Sequence, residues 1–177
     1  MVKNLQFEDI YSPIGNDLNL VEKEQRKICT SLSTSYLQEI IGYFFKIPGK
    51  QLRPTLALLS AGIINNKLPE STNDQLIQFA TGIELMHSAS LIHDDVIDGD
   101  LFRRGQKTIS RIYGKKIAVL TGDVVYSLAF STLSNSLPKE FEQMIVELTE
   151  YMCAAEVIQA ENELPTHETY LNIIKGK

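Results

Sequence analysis

Apolar residues recur at helical spacing along almost the whole chain, and no stretch has the alternating pattern of a half-buried strand. We therefore predict an all-α fold, with loops where proline, glycine and short polar side chains interrupt the pattern. The predicted helices, with approximate bounds, are 18–45, 55–65, 74–98, a short helix that ends near residue 111, 116–133, 139–164 and a final helix from residue 166 onward. Ser71 or Thr72 is the predicted N-cap of the third helix.

Length and composition favour an ordinary globular protein. With 177 residues, 44% hydrophobic and 22% charged, the chain is expected to form one domain over residues 1–177 with a sizeable core. A net charge of −5 argues against a nucleic-acid partner. The most apolar stretch, IAVLTGDVVYSLAFSTL, is interrupted by Asp123 and is expected to fall short of a membrane span, and the start lacks the apolar run of a signal peptide. We expect a cytoplasmic protein without an integral membrane segment, whose Cys29 and Cys153 stay reduced.

The segment LIHDDVIDGDLFRRG, residues 91–105, gathers three aspartates near the end of a predicted helix. At about 100° per residue, one helical stripe contains His87, Ser90, Leu91, Asp94 and Asp98, with Asp95 beside it. A second stripe, suited to a core, contains Leu85, Ala89, Ile92 and Val96. Carboxylates four residues apart can hold a hard divalent cation, and Mg²⁺ takes one or two carboxylates together with phosphate oxygens. A solvated acidic helix end is the alternative interpretation.

Two basic clusters accompany the aspartates. Their members are Lys50 and Arg53 in the loop GKQLRP, and Arg103 and Arg104 directly after the acidic helix. Guanidinium groups pair with phosphate oxygens through two hydrogen bonds, so these clusters suit a ligand that carries several phosphates. Alternatively, the two arginines pair with Asp98 and Asp100, and His87 is a hydrogen-bonded structural residue.

Four segments together resemble the trans-type polyprenyl diphosphate synthase family. They are GKQLRP (49–54), ELMHSASLIHDDVIDGDLFRRGQKT (84–108), LTGD (120–123) and, loosely, AAEVIQ (154–159). The resemblance implies an isoprenoid synthase-type helical bundle around a central cavity, usually dimeric and truncated here at its C-terminal side. It also implies a Mg²⁺-dependent prenyltransferase of isoprenoid biosynthesis, which condenses isopentenyl diphosphate with an allylic diphosphate into a long-chain trans-polyprenyl diphosphate.

The resemblance also implies roles for individual residues. Asp94, Asp95 and Asp98 match the first aspartate-rich motif, which holds Mg²⁺ against the allylic diphosphate, and Arg103 matches an arginine that contacts that diphosphate. The residues that match the isopentenyl diphosphate pocket are Lys50, Arg53, His87 and Arg104. Gln159 and Lys177 match residues on the allylic side, and Ala155 stands where the family usually has glycine.

Small residues at the expected cavity floor imply a long product. Ala89 and Ser90 lie five and four residues before Asp94, about one turn deeper along the helix. In the family, bulky aromatic side chains at this depth stop elongation early. The alternative is that Ala89 is small only because another helix packs close to it.

One departure from the family is large, because the second aspartate-rich motif is missing from these 177 residues. A fragment, a split gene and a partner chain that supplies the rest are all open explanations. We expect little activity from this chain alone, and a homodimer or a complementary C-terminal half or subunit as partner. A non-catalytic partner or regulatory subunit of a heteromeric prenyl synthase is the alternative function. A class I terpene cyclase needs no isopentenyl diphosphate pocket, so GKQLRP and RRG argue against it.

Overall fold

The computed structural model describes residues 7–64, 74–161 and 165–176, with only the backbone of residues 7 and 8. Within these ranges the chain is helical apart from one small hairpin, which confirms the all-α class. The elements are α1 (Phe7–Tyr11), a 3-10 turn (Ser12–Ile14), α2 (Gly15–Thr30), α3 (Ser35–Phe44), α4 (Leu52–Ile64), α5 (Asp74–Ile97), β1 (Phe102–Arg103), β2 (Gln106–Lys107), α6 (Ile109–Tyr113), α7 (Lys115–Ser136), α8 (Lys139–Glu161) and α9 (His167–Gly176). The N-cap predicted at Ser71 or Thr72 lies outside the described residues, as does Lys177.

The single helix predicted over residues 18–45 is wrong, because the structure breaks it into α2 and α3. The segment from Ser31 to Thr34 separates them; three of its four residues carry hydroxyl groups, and short hydroxyl side chains compete with helical hydrogen bonds. The Thr34 side chain caps α3 by accepting a hydrogen bond from the Leu37 N–H at 3.3 Å. Gln38 donates to the carbonyl groups of Thr30 and Leu32, which closes the turn between the helices.

Most other predicted helices appear with small shifts in their ends. The third predicted helix, now α5, ends one residue earlier than expected, at Ile97. The helix expected from residue 55 begins at Leu52, because Pro54 lies in the first turn, where a missing N–H breaks no helical hydrogen bond. The prediction that no strand is present was wrong in one place. The RRG loop is part of a hairpin in which Phe102 pairs with Lys107 and Arg103 with Gln106.

Contacts divide the chain into two compact units, unit 1 (Met1–Ser136) and unit 2 (Leu137–Lys177). The single domain expected over residues 1–177 stays a prediction. In unit 1, α5 makes its most extensive contacts with α7 and also packs against α2 and α4. An apolar cluster between α2, α4, α5 and the 3-10 turn contains Ile14, Leu18, Val21, Leu58, Ile77 and Ala80. In unit 2, α8 packs against α9, and Gly176 lets the helices approach because a methyl group there would lie 2.6 Å from the Ala155 Cβ.

The core stripe predicted on α5 is confirmed. Leu85, Ala89 and Ile92 are almost completely buried, and Val96 is half-buried. On the facing helix, α7, Gly122 makes room for the imidazole of His93, which lies 3.0 Å from the Val119 carbonyl oxygen. The complete burial of Ala89 accounts for its small size by packing alone, as the alternative interpretation proposed.

Helix α7 differs from the other long helices in the described part of the chain by its hydropathy and its few charges. With 22 residues and a mean hydropathy of 1.4 over its most apolar window, it is long and apolar enough to cross a membrane by length and composition. The expectation that this stretch falls short of a span is therefore not met. Close packing against α5 also suits the core helix of a globular protein, and one such helix is weak support for a membrane span.

Candidate functional site

The last turns of α5 present the aspartates in the order that helical spacing predicts. The Asp98 N–H donates to the Asp94 carbonyl oxygen at 2.8 Å, so the helical geometry continues through the acidic stretch. Asp94 is half-buried and Asp98 is exposed, whereas Asp95 keeps only 3% of its surface accessible. The two carboxylates at positions i and i+4 therefore lie nearer to solvent than the third.

Asp95 is buried because it pairs with an arginine of the hairpin. The Arg103 Nε and Nη2 both donate to Asp95 Oδ1, each at 2.7 Å. Burial raises the pKa of Asp95 above its usual value, and the hydrogen bond and charge of Arg103 oppose that rise. The alternative in which Arg103 pairs with Asp98 or Asp100 is thus replaced by a pairing with Asp95.

Arg104 occupies the turn of the hairpin in a backbone conformation that most residues avoid. Its φ is +50°, and that of the following Gly105 is +77°, the signs that a type I′ turn requires at both central positions. A non-glycine residue in this region costs about 1–2 kcal/mol. Asparagine, aspartate and glycine are the usual choices there, so an arginine with this strain is a candidate for a functional role.

The guanidinium of Arg104 lies directly on the GKQLRP loop. Its Nη1 donates to the Ile47 carbonyl oxygen at 3.4 Å, a long hydrogen bond. A methyl group on Gly49 would come within 2.6 Å of Nη2, so a side chain there would displace the guanidinium from its place on the loop. The structure thereby brings together the two basic segments that the sequence separates by about 50 residues. Lys50 is exposed, and its carbonyl oxygen accepts a hydrogen bond from the Tyr11 hydroxyl at 2.8 Å.

His87 lies on α5 within the electrostatic reach of three arginines. Burial lowers the pKa of His87 to about 4, and the charges of Arg53, Arg104 and Arg103 add to that lowering. The imidazole is therefore neutral near pH 7 and can hydrogen-bond a ligand without carrying charge. Four of the residues predicted to bind substrate, His87 and the three arginines, thus share one electrostatic environment.

Glu84 is a member of this environment that the sequence analysis missed. It is 8% exposed and lines a cleft with Gly49, Ser88 and Arg104. Burial raises the pKa of Glu84, and the positive charges of Arg53 and Arg104 oppose that rise. A carboxylate inside the otherwise apolar run GIELM was the signal that could have identified it, since buried acids are rarely unpaired.

The structure does not test the roles predicted for three other residues. Gln159 is exposed on α8 in unit 2, and Lys177 lies outside the described residues. Ser90 is half-buried, and its hydroxyl donates to the His87 carbonyl oxygen at 2.8 Å. Their predicted roles stay predictions.

The carboxylates at the end of α5 fit a hard cation whose other ligands come from a bound molecule. Among the residues that the structure describes, no three or more His, Cys, Asp or Glu side chains are arranged to hold a metal ion. Asp95 is turned toward Arg103, and the carboxylates of Asp94 and Asp98 remain at the i, i+4 spacing. Two carboxylates with phosphate oxygens from a ligand are a usual Mg²⁺ environment, so the residues fit a metal that arrives with a diphosphate.

A family model described as polyprenyl synthetase matches residues 34–177, which include the acidic helix end, both basic segments and unit 2. The chain belongs to the polyprenyl synthetase family. The human all trans-polyprenyl-diphosphate synthase PDSS1 is 36% identical over 145 residues, which cover 79% of this chain and 35% of that protein. The Bacillus subtilis heptaprenyl diphosphate synthase component 2 is 27% identical over 179 residues, which cover 99% of this chain and 50% of that protein.

A solved structure shows the same fold. The polyprenyl synthase from Caulobacter crescentus, whose crystals contained calcium and isoprenyl diphosphate, superposes with a TM-score of 0.88 at 23% identity. The match covers all of this chain and 53% of that one. This polyprenyl synthetase chain thus spans about half the length of that structure, or less for the human relative.

Proposed function

We propose that this chain supplies the diphosphate-binding part of a trans-polyprenyl diphosphate synthase of the long-chain type, a prenyltransferase that joins isopentenyl diphosphate to an allylic diphosphate. The observation that carries the proposal is the docking of Arg104 on Gly49 next to the Arg103–Asp95 pair. This geometry gathers guanidinium groups beside carboxylates at one helix end, as binding of a metal diphosphate requires.

Asp94 and Asp98 would hold a divalent cation, proposed to be Mg²⁺, which neutralises charge on the leaving diphosphate when it is bound. Arg103, which pairs with the adjacent Asp95, stabilises the departing pyrophosphate through charge-assisted hydrogen bonds. Lys50, Arg53 and Arg104, with the neutral imidazole of His87, hold the diphosphate of isopentenyl diphosphate. Gln159 and Lys177 stay proposed contacts on the allylic side.

The proposed reaction proceeds in three steps. The carbon–oxygen bond of the allylic diphosphate breaks, and its electron pair leaves with pyrophosphate, so that an allylic cation remains. The double bond of isopentenyl diphosphate attacks that cation and forms the new carbon–carbon bond. The resulting cation then loses a proton to the pyrophosphate released in the first step, and the product is longer by one isoprene unit. Water must be kept from the cation, so the protein must supply an apolar enclosure below Asp94.

Calorimetry tests the binding step directly. We expect an allylic diphosphate analogue to bind with Mg²⁺ and to lose most of its affinity in the presence of a chelator. Asp94→Asn or Asp98→Asn should weaken binding by about 10- to 100-fold. Asp74→Asn is the matched control, because it removes a carboxylate from the exposed first residue of the same helix. Equal affinity with Mg²⁺ and with chelator would contradict the proposal.

Product length is proposed to be set at Ser90 and Ala89, and Ser90 is the better position for a test. Ala89 is fully buried, so a phenylalanine there would overpack the core before it could shorten a product. Ser90 is half-buried on the stripe that leads to Asp94. In an enzyme completed by the remaining helices, Ser90→Phe should shorten the products that chromatography resolves, and unchanged products would contradict this role.

A complementary polypeptide that carries the remaining helices is the proposed partner, with a homodimer as the alternative assembly. Phe141, Met144, Leu148 and Tyr151 follow one another on α8 at spacings of three, four and three, and Ile158 lies seven residues further on; each is at least 37% exposed, whereas Ala155 between the last two is buried. Such a stripe suits a packed helix. Light scattering of the chain alone and with the C-terminal half of a family member would distinguish a monomer, a homodimer and a complex.

The alternative function is that of a non-catalytic or regulatory subunit, which the similarity to a protein described as component 2 makes worth testing. Such a subunit would bind a diphosphate without turning it over, even beside its partner.

The cytoplasm is the proposed compartment, and cell fractionation would test it.

A further inference from the structure

The hairpin that carries both arginines is too small to hold its shape alone. Its ladder consists of two residue pairs, and an isolated two-stranded hairpin is at best marginally stable in water. Arg104 adds strain through its positive φ. Thr108 closes the base of the hairpin, because its N–H donates to the Leu101 carbonyl oxygen and its hydroxyl to that of Asp100. The turn itself needs support from elsewhere in the fold.

That support comes from the C-terminal end of α3. The Tyr43 hydroxyl donates to the Lys107 carbonyl oxygen at 2.7 Å, and the Tyr43 carbonyl oxygen accepts from Gln106 Nε2 at 2.9 Å. One residue therefore holds both residues of β2. The Tyr43 ring packs edge-on against Tyr113, with centroids 6.4 Å apart, which fixes its orientation.

Both hydrogen bonds are made to β2, the strand that pairs with the strand carrying Arg103. Gln106 pairs with Arg103 across the hairpin, and the turn at Arg104 and Gly105 joins the strands. Tyr43, Asp95, Arg103 and Arg104 also line one cleft. Displacement of β2 would move Arg103 away from Asp95 and Arg104 away from Gly49.

We propose that Tyr43 and Gln106 are positioning residues for diphosphate binding, which clamp the hairpin so that Arg103 and Arg104 are in place before the ligand arrives. This inference rests on the proposed function and adds residues that act through the arginines. Without the clamp, the ligand must order the hairpin as it binds, so part of the binding free energy is lost. The clamp also offsets the strain at Arg104, which requires a surrounding structure that fixes it.

The experiment compares Tyr43→Phe and Gln106→Ala with the unchanged chain. Each variant removes one hydrogen bond, and Tyr43→Phe keeps the ring that packs on Tyr113. Tyr36→Phe is the matched control, since it removes the same atom from another ring that packs edge-on against Tyr113. We measure hydrogen exchange of the backbone amides of residues 102–107 and the affinity for inorganic pyrophosphate with Mg²⁺, well below the melting temperature of every variant.

Both variants should speed hairpin exchange and weaken pyrophosphate binding by about 2- to 10-fold each, the usual net effect of one hydrogen bond. Tyr36→Phe should change neither quantity. A purely structural role would lower the melting temperature and leave the affinity of the folded protein unchanged, and that result would overturn the inference. Unchanged hairpin exchange would overturn it as well. Absence of pyrophosphate binding by the unchanged chain, with normal exchange in the hairpin, would instead contradict the proposed function. Gln106→Ala keeps the test decisive if Tyr43→Phe fails to fold.

Discussion

Helices α5 and α8 have nearly the same length and opposite surroundings. Of the 24 residues of α5, eleven are buried, including Glu84 and Asp95. Of the 23 residues of α8, only Ile145 and Ala155 are buried, although Phe141, Leu148 and Tyr151 are large and apolar. Unit 1 therefore contains the partners of its own central helix, whereas most of the large apolar side chains of α8 face solvent.

The difference bears on what each unit can do. In unit 1, burial fixes the end of α5 and the hairpin that carries the arginines, and it shifts the pKa values of His87 and Asp95. A binding site requires such preorganised charges. In unit 2, the exposed stripe on α8 resembles half of a helix–helix interface. We expect unit 1 to bind ligand by itself and unit 2 to require a further surface.

The largest expected effect concerns turnover. The chain spans about half the length of the solved relative, so we expect the enclosure that keeps water from an allylic cation to be incomplete and the chain alone to show little or no activity. A loss of several kcal/mol in stabilisation of the transition state amounts to a rate at least about 1,000-fold lower. The assay is incorporation of labelled isopentenyl diphosphate by the chain with and without the C-terminal half of a family member, and Asp94→Asn is the inactive control. Robust turnover by the chain alone would contradict the expectation that a complementary half is required for activity.

The next largest expected effect is on stability, and a comparison of two leucines tests it. Leu85 on α5 is completely buried, whereas Leu148 on α8 is 49% exposed. Leu85→Ala should lower the free energy of unfolding by about 2–5 kcal/mol, because it removes buried methyl groups and leaves a cavity. Leu148→Ala should change it by no more than about 0.5 kcal/mol. Denaturant titration measures both, and a large loss for Leu148→Ala would show that α8 is already covered in solution.

Much of this comparison could be predicted from the sequence. The spacing of Leu85, Ala89 and Ile92 indicated the core face of α5, and the GKQLRP and RRG segments indicated a phosphate site, because periodicity and charge are local properties. The split between α2 and α3 was missed, since apolar spacing continues across Ser31–Thr34 and only the hydroxyl groups mark the break.

What could not be predicted depends on contacts between distant residues. The pairing of Arg103 with Asp95 rather than Asp98 follows from the hairpin, which has too few residues for a recognisable strand pattern. The contact of Arg104 with Gly49 and the clamp by Tyr43 join segments about 50–60 residues apart. Glu84 shows its role only once Arg53 and Arg104 lie near it.

A smaller effect on stability is expected from pH. The pKa of His87 is about 4 in the folded chain and near 6.5 when unfolded, so between these values the unfolded chain binds more protons. Stability should therefore fall as the pH drops from about 6.5 toward 4. His87 accounts for at most about 3 kcal/mol of that fall, and for less once its partial exposure is allowed for.

The buried carboxylates have the opposite sign, because the raised pKa values of Glu84 and Asp95 favour folding at low pH. The variant His87→Asn isolates the contribution of the histidine. The contributions of the carboxylates cancel when the pH profile of the variant's free energy of unfolding is subtracted from that of the unchanged chain. Chemical denaturation at several pH values between 4 and 7 provides both profiles. Parallel profiles would show that His87 is not desolvated as the structure indicates.

The smallest expected change in stability comes from labelling the two cysteines, one in each unit. Cys29 on α2 is 6% exposed, and burial raises its pKa to about 12, so it should stay unmodified in the folded chain. Cys153 on α8 is exposed and should react with a maleimide at once, with stability changed by no more than about 0.5 kcal/mol. Mass spectrometry after brief labelling identifies the modified residue, and Cys153→Ser is the control that should remove the fast reaction. At about 100° per residue, Cys153 lies on the face of α8 roughly opposite Met144, Leu148 and Tyr151, so a partner bound on the exposed stripe should leave its labelling fast. Labelling that slows in a stable complex would place the partner on the face that carries Cys153 and would contradict a role for the stripe in assembly.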